Sequence, residues 1–202
     1  MMGKRAKSNL LLIFISLIAT YSCREVSVPK PKGHFRIDLP AKNYTKFSGM
    51  SVNNSNTPFS FEYPSYGKLS FQTENNDEPG WFDIEFPKYR AKIYLTYKDV
   101  KNDFAGLMEQ TYKMNVKNHI AKADAINEQP FNNPENRVFG VLYDLKGNTA
   151  SAVQFYVTDS VSHYLRGSLY FSAEPDADSL APVIEFFRED IIHLIETLKW
   201  NN

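Results

Sequence analysis

From Phe59 to Phe171 apolar and polar residues mostly alternate, whereas the two flanks of the chain follow other patterns. Near the start, Leu10 through Ala19 form an apolar run broken only by Ser16. Further on, Phe35, Ile37 and Leu39 alternate with Arg36 and Asp38, which predicts a short strand. Residues 41–58 are polar, with Asn53, Asn54 and Asn56 clustered, and read as a loop. Phe59, Phe61 and Tyr63 then alternate up to Pro64, and residues 68–72 are expected to pair back across the Pro64-Ser65-Tyr66-Gly67 turn. Phe82, Ile84 and Phe86 alternate with Asp83 and Glu85. Tyr89, Ala91, Ile93, Leu95 and Tyr97 share one face of a half-buried strand, with Arg90, Lys92 and Thr96 on the other.

The period then changes. Asn102 or Asp103 can cap a helix whose apolar positions include Phe104, Leu107, Met108 and Tyr112, ending near His119. Strand patterns return at residues 123–127, 137–145, 149–158 and 164–171. The connections Lys146-Gly147-Asn148 and Thr158-Asp159-Ser160 are compact, so these strands read as an antiparallel meander. Residues 179–198 predict a closing helix, with Leu180, Val183, Ile184, Phe187, Ile191, Leu194, Ile195 and Leu198 on one apolar stripe. Pro182 is placed in its first turn, and Asp176 and Asp178 suit the positive end of its dipole. The fold class expected is α+β: a single largely antiparallel β-sheet packed with about two α-helices. The element order resembles the PsbP and Mog1 type of sandwich, an analogy of fold alone.

The first apolar run has a different meaning from those strands. About ten residues is too short for a spanning helix, which needs roughly 20. Lys4, Arg5 and Lys7 precede the run with no acidic neighbour, the arrangement of a secretory signal. It ends in Thr20-Tyr21-Ser22-Cys23, and Cys23 is the single cysteine in the chain. That segment resembles the bacterial lipobox, with a small residue before the cysteine and departures from the commoner form at Thr20 and Tyr21. Lipidation of Cys23 follows as the expectation, since each buried methylene adds about 0.8 kcal/mol of membrane affinity. Residues 1–22 are thus read as signal peptide, 23–34 as a lipidated extended tether rich in proline and lysine, and 35–202 as one domain.

Charge narrows the partners. Residues 1–22 take three of the 23 Lys and Arg and none of the 23 Asp and Glu, leaving a formal charge of −3. Nucleic acid is not expected as a partner without a clustered positive excess. With no second cysteine, the core is built by burial and not by disulfides. The histidines at 34, 119, 163 and 193 show no metal-ligand spacing and read as surface or interface side chains. No nucleophile elbow or glycine-rich phosphate cradle is present. Asp83 and Glu85 share a strand face that solvent exposure explains. Glu185, Arg188, Glu189 and Glu196 read as solvated helix charges, with a neighbour one turn away as partner for Arg188. An enzyme is not expected, nor a cofactor, a metal or a small-molecule ligand. Abundant aromatic residues suit a β core. Trp81, Tyr94 and Tyr97 are the first suspects for contact with a glycan or a partner.

Several runs resemble one family closely. They include Pro29-Lys-Pro-Lys-Gly with Phe35-Arg-Ile-Asp-Leu-Pro, and Phe59-Ser-Phe-Glu-Tyr-Pro. Trp81-Phe-Asp-Ile-Glu-Phe-Pro and Ala91-Lys-Ile-Tyr-Leu-Thr-Tyr follow. Then come Asn133-Pro-Glu-Asn, Val141-Leu-Tyr-Asp-Leu-Lys-Gly-Asn, Val153-Gln-Phe-Tyr-Val-Thr-Asp-Ser and Leu165-Arg-Gly-Ser-Leu-Tyr-Phe, with the long helical run from Asp178 to Leu198. Together they resemble the gliding-motility lipoprotein GldD family over almost all of the chain after Cys23, least well at residues 41–58. The resemblance implies a membrane-anchored cell-envelope lipoprotein needed for gliding and the associated type 9 secretion machinery, whose partners are other gliding or secretion proteins. It carries over no catalytic residue, only the lipidated Cys23. Arg24-Glu25-Val26 lacks the acidic run that goes with outward display, so the domain is expected to face the periplasm. Asp159-Ser160-Val161 and Asp178-Ser179-Leu180 fit the short O-glycosylation motif of such bacteria, naming Ser160 and Ser179; both also suit turn and cap roles. A periplasmic glycan- or peptidoglycan-binding protein is the alternative reading.

Overall fold

Twelve strands and two α-helices make up the structure, a computed structural model that describes residues 37–49, 51–52, 55–71 and 80–201. All of these lie in the compact unit Arg36–Asn202. The signal segment, Cys23, the tether and Phe35 fall outside the described residues.

Seven strands form the larger sheet: β5 (Lys68–Phe71), β6 (Trp81–Phe86), β7 (Ala91–Asp99), β8 (Ala125–Asn133), β9 (Val138–Lys146), β10 (Ser151–Thr158) and β11 (His163–Phe171). Their spatial order is β5-β6-β7-β11-β10-β9-β8, and every pairing is antiparallel. The last four strands are the expected meander. A smaller sheet has β4 (Phe59–Pro64) between β1 (Tyr44–Ser48) and β12 (Lys199–Trp200). A two-stranded ribbon, β2 (Ser51–Val52) with β3 (Ser55–Asn56), stands apart. The helices are α1 (Phe104–Tyr112), which runs on into a π-helical turn at Lys113–Lys117, and α2 (Ala177–Thr197).

Period-two burial gives the large sheet two unlike faces. On the inner face Phe82, Ile84, Phe86, Ile93, Leu95, Phe155, Leu165 and Leu169 are at most 2% exposed. They pack against Phe47, Phe59 and Phe61 of the small sheet and Val183, Phe187, Ile191 and Leu194 of α2. Each such side chain contributes roughly 1.5–3 kcal/mol relative to leaving it in water. On the outer face lies α1 with its π-helical turn, where Val116 meets Tyr143 and Leu145. Asp103 caps α1 by accepting from Gly106 N at 3.1 Å, and Asp176 caps α2 by accepting from Ser179 N at 3.2 Å.

The α+β class holds, but there are two main sheets and not one. Four local expectations also change. Residues 37–40 form no strand, and the first strand lies inside the stretch read as loop. Only Phe47 of β1 is buried, too little apolar content to show a period. Residues 68–71 pair with β6 and not back onto β4. Gly67 makes that switch possible: a Cβ there would sit 2.7 Å from Phe86 Cε1 and 2.8 Å from Ile84 Cγ2, so only glycine lets the chain pass so close to β6. Because α2 starts at Ala177, Pro182 lies in its second turn, where it removes an intrahelical bond. Strand β8 runs on to Asn133, beyond the five residues read from the pattern, because an edge strand with mostly exposed side chains and Pro130 breaks alternation.

Candidate functional site

Two polar clusters lie on opposite faces of the large sheet. On the inner side Asp190 of α2, 1% exposed, accepts from Lys42 Nζ at 2.7 Å, Tyr66 Oη at 2.6 Å and Tyr44 Oη at 3.0 Å. Burial first, and then the adjoining Asp190 carboxylate, push both tyrosine hydroxyls far above their ordinary pKa, so they stay donors. His193 stacks on Tyr44 with ring centroids 3.6 Å apart and meets Glu62 at 2.7 Å. Lys42 also stands over the Phe186 ring at 3.5 Å. These contacts fasten residues 42–44 and the β4–β5 turn to one helix. That is a structural lock, not a pocket.

The outer cluster surrounds a groove. Register sets Trp81, Thr96 and Arg166 side by side across β6, β7 and β11, and Lys98 beside Tyr164. Between this surface and α1 lies a cavity of about 260 Å³ lined by Trp81, Thr96, Lys98, Met114, Tyr164 and Arg166 among others. Thr111 of α1 shares a 2.5 Å hydrogen bond with Tyr164 Oη at its edge. Arg166 Nε donates to Asn115 Oδ1 at 2.9 Å and Nη2 to Gln154 Oε1 at 2.7 Å. An arginine only donates, so Gln154 must present its oxygen here and its Nε2 to His119 Nε2, 2.9 Å away. That nitrogen of His119 therefore accepts, and the ring is neutral. Burial, then the charges of Arg166 and Lys122, hold His119 below the usual histidine pKa.

The suspected aromatic residues are not brought together as a trio. Trp81 and Tyr94, each 42% exposed, are diagonal neighbours on the outer face. Tyr97 points to the inner side, against Phe59 at 5.3 Å, with its hydroxyl bonded to Asp99 and His163. Ser160 is exposed in a turn where Asp159 accepts from the N–H groups of Val161, Ser162 and His163. Burial alone would raise the Asp159 pKa, yet these bonds hold it below the ordinary aspartate value. The Ser179 hydroxyl bonds the capping Asp176 at 2.8 Å.

Three charge readings need correction. Asp83 is 3% exposed and paired with Lys92 at 3.2 Å, not solvated. Arg188 makes its direct contacts with Asp144 on β9 at 2.8 Å and Gln129 on β8 at 2.7 Å, while Glu185 one turn back adds only an electrostatic attraction. His119, His163 and His193 are half-buried and hydrogen-bonded. Arg166 is the residue that sequence reasoning missed as part of a site. Its alternating position reads as solvent-facing, and only the placement of α1 on that face reveals otherwise.

A family model described as gliding motility lipoprotein GldD matches residues 24–200. Comparison with curated proteins gives no match. The solution structure of cyanobacterial PsbP (CyanoP) from Synechocystis sp. PCC 6803 is similar at 10% identity, over 85% of this chain and 99% of that chain, with a TM-score of 0.46. A likeness that distant carries no argument, and the α+β class rests on the strands and helices described above. Among the described residues no helix is long and apolar enough to cross a membrane.

Proposed function

The chain belongs to the gliding motility lipoprotein GldD family, and from that premise we propose that it is a non-catalytic component that assembles or stabilises the gliding apparatus and the associated type 9 secretion machinery. The single observation behind this is the family match, which starts at the residue after Cys23 and runs to Trp200. In this reading residues 1–22 direct export and Cys23 carries the lipid. The Lys42–Asp190 lock holds the tether end of the domain against α2. The domain faces the periplasm, since no acidic run follows Cys23.

Two experiments test the proposal. Surface delivery of secreted adhesins is measured in a strain lacking the gene, with and without the intact copy. Joint loss of delivery and gliding, both restored by complementation, supports a role in secretion or its assembly; normal delivery with gliding lost removes the secretion part. Cys23→Ala should release the protein from membranes and abolish gliding, and full motility with that soluble variant would refute anchoring.

The exposed Trp81 and Tyr94 favour a second reading, in which the outer face stacks on glycan or peptidoglycan. Sedimentation with purified cell wall tests it: retention lost in Trp81→Ala supports it, and no retention above background rejects it.

A further inference from the structure

Among the described residues, three half-buried cations have a carboxylate partner that Arg166 lacks. Lys42 pairs with Asp190, Lys92 with Asp83 and Glu85, and Arg188 with Asp144. Arg166 is half-buried, yet its two bonds go to the neutral oxygens of Asn115 and Gln154, and no carboxylate among the described residues reaches it. Of its five N–H donors, three are left over. A desolvated charge without a counter-ion is costly unless something outside the chain supplies one.

We propose that the groove between α1 and the outer face of the large sheet binds an acidic side chain presented by a protein partner, with Arg166 as its counter-ion. The geometry supports each part of this. The cavity of about 260 Å³ is smaller than a usual small-molecule pocket, about 300–1,000 Å³, and suits a single Glu or Asp side chain. Asn115 and Gln154 hold the guanidinium plane in place, so little order is lost on binding. At the rim stand Trp81, 42% exposed, and Met114, 37% exposed; Trp, Met and Arg are enriched where proteins meet. An anionic lipid surface would instead call for several Lys and Arg outside the fold, not a sunken guanidinium with Lys98 as the one other cation lining the groove. The inference rests on the assembly reading above and names the chemistry of its contact.

The test uses the full lipidated chain in non-ionic micelles and follows the Arg166 Nε–H and Trp81 indole signals by NMR. Probes are the peptide acetyl-Ala-Glu-Ala-amide, its Gln counterpart, and phosphatidylglycerol vesicles. The Glu peptide should shift both signals saturably and the Gln peptide should not. Arg166→Met should weaken the Glu peptide by about tenfold or more. Thr96→Glu, which places the chain's own carboxylate beside Arg166, should block the peptide and gives a second variant if the first does not fold. Equal response to both peptides, no saturable response, or a response to vesicles alone would overturn the proposal. Gliding lost on gene deletion but no peptide binding removes only the pocket; peptide binding with gliding intact on deletion removes only the assembly reading.

Discussion

Replacing Asp190 with alanine takes a 1%-exposed carboxylate away from three donors at once: Lys42 Nζ, Tyr44 Oη and Tyr66 Oη. Breaking a buried ion pair by deleting one partner costs about 3–5 kcal/mol. The Lys42 side chain keeps 26% exposure, a contact with Glu189 at 3.5 Å and the Phe186 carbonyl, so part of that loss is recovered by rehydration. The two tyrosine hydroxyls lose an acceptor at about 1 kcal/mol each. The net expectation is about 3 kcal/mol. With a urea m-value of about 2 kcal/mol/M, the midpoint falls by about 1.5 M. The melting temperature should drop by roughly 6–12 °C. Asp190→Asn keeps one acceptor oxygen and should lose about half as much. In a cycle with Lys42→Met, the double variant should fall short of the summed singles by about 1 kcal/mol or more. Urea unfolding followed by far-UV circular dichroism reads the parent chain and all four variants. A loss below about 1 kcal/mol for Asp190→Ala, or strict additivity with Lys42→Met, would refute the lock.

Other positions give independent checks. His119 is held below the usual histidine pKa in the folded chain, so the unfolded chain binds a proton that the folded one resists; stability should be flat above about pH 6.5 and fall as the pH drops below it. Urea midpoints between neutral and mildly acidic pH should lose part of that slope in His119→Gln, and an unchanged slope would refute the lowered His119 pKa. Gly67→Ala should cost about 1–3 kcal/mol by overpacking against Phe86 and Ile84, measured as a lower melting temperature with unchanged secondary structure. Asp159→Ala removes the acceptor of three backbone N–H groups and should cost about 2 kcal/mol at neutral pH. Its folded pKa is depressed, so that contribution is present above about pH 4 and shrinks as the pH falls further; comparing midpoints on either side of that value checks it.

How much of this the sequence revealed depends on burial. Strand β7 alternates cleanly because one face is sealed and the other is half open, and β6 keeps the same alternation of apolar and polar residues although Asp83 is buried on its outer face. The stripe of α2 was legible for the same reason, with Phe187 and Ile191 wholly buried. Strand β1 was not, since Phe47 alone is buried, and two-residue β12 is too short to show any period. Pairing was harder to read than existence. The turn at residues 64–67 fits a hairpin, and only the close fit of Gly67 on β6 sends the next strand to another sheet. The candidate site was half legible. Trp81 stands out as a large aromatic residue at an outward position, but Arg166 looks like any outward polar residue until α1 is placed over it.

That placement explains why the two faces of one sheet differ. On the inner face the small sheet and α2 exclude water along most of its length, and there each buried carboxylate meets a cation or hydroxyl of the same chain. A shift in that layer would expose charges paired over long sequence separations, so the face suits stability and little else. On the outer face a nine-residue helix and one π-helical turn cover fewer strands. They leave Trp81, Tyr94 and Met114 in contact with water, with an arginine fixed between two amides beneath. If the inner lock resists a pull transmitted from Cys23, the outer groove can stay rigid while the chain is under load. Thr96→Glu, which leaves the bonds of Arg166 to Asn115 and Gln154 in place, and Asp190→Ala should then fail in different ways. The first keeps its stability within about 1 kcal/mol and loses its contact, while the second loses stability and only indirectly its contact. Similar losses of stability in both would mean that the groove belongs to the core after all.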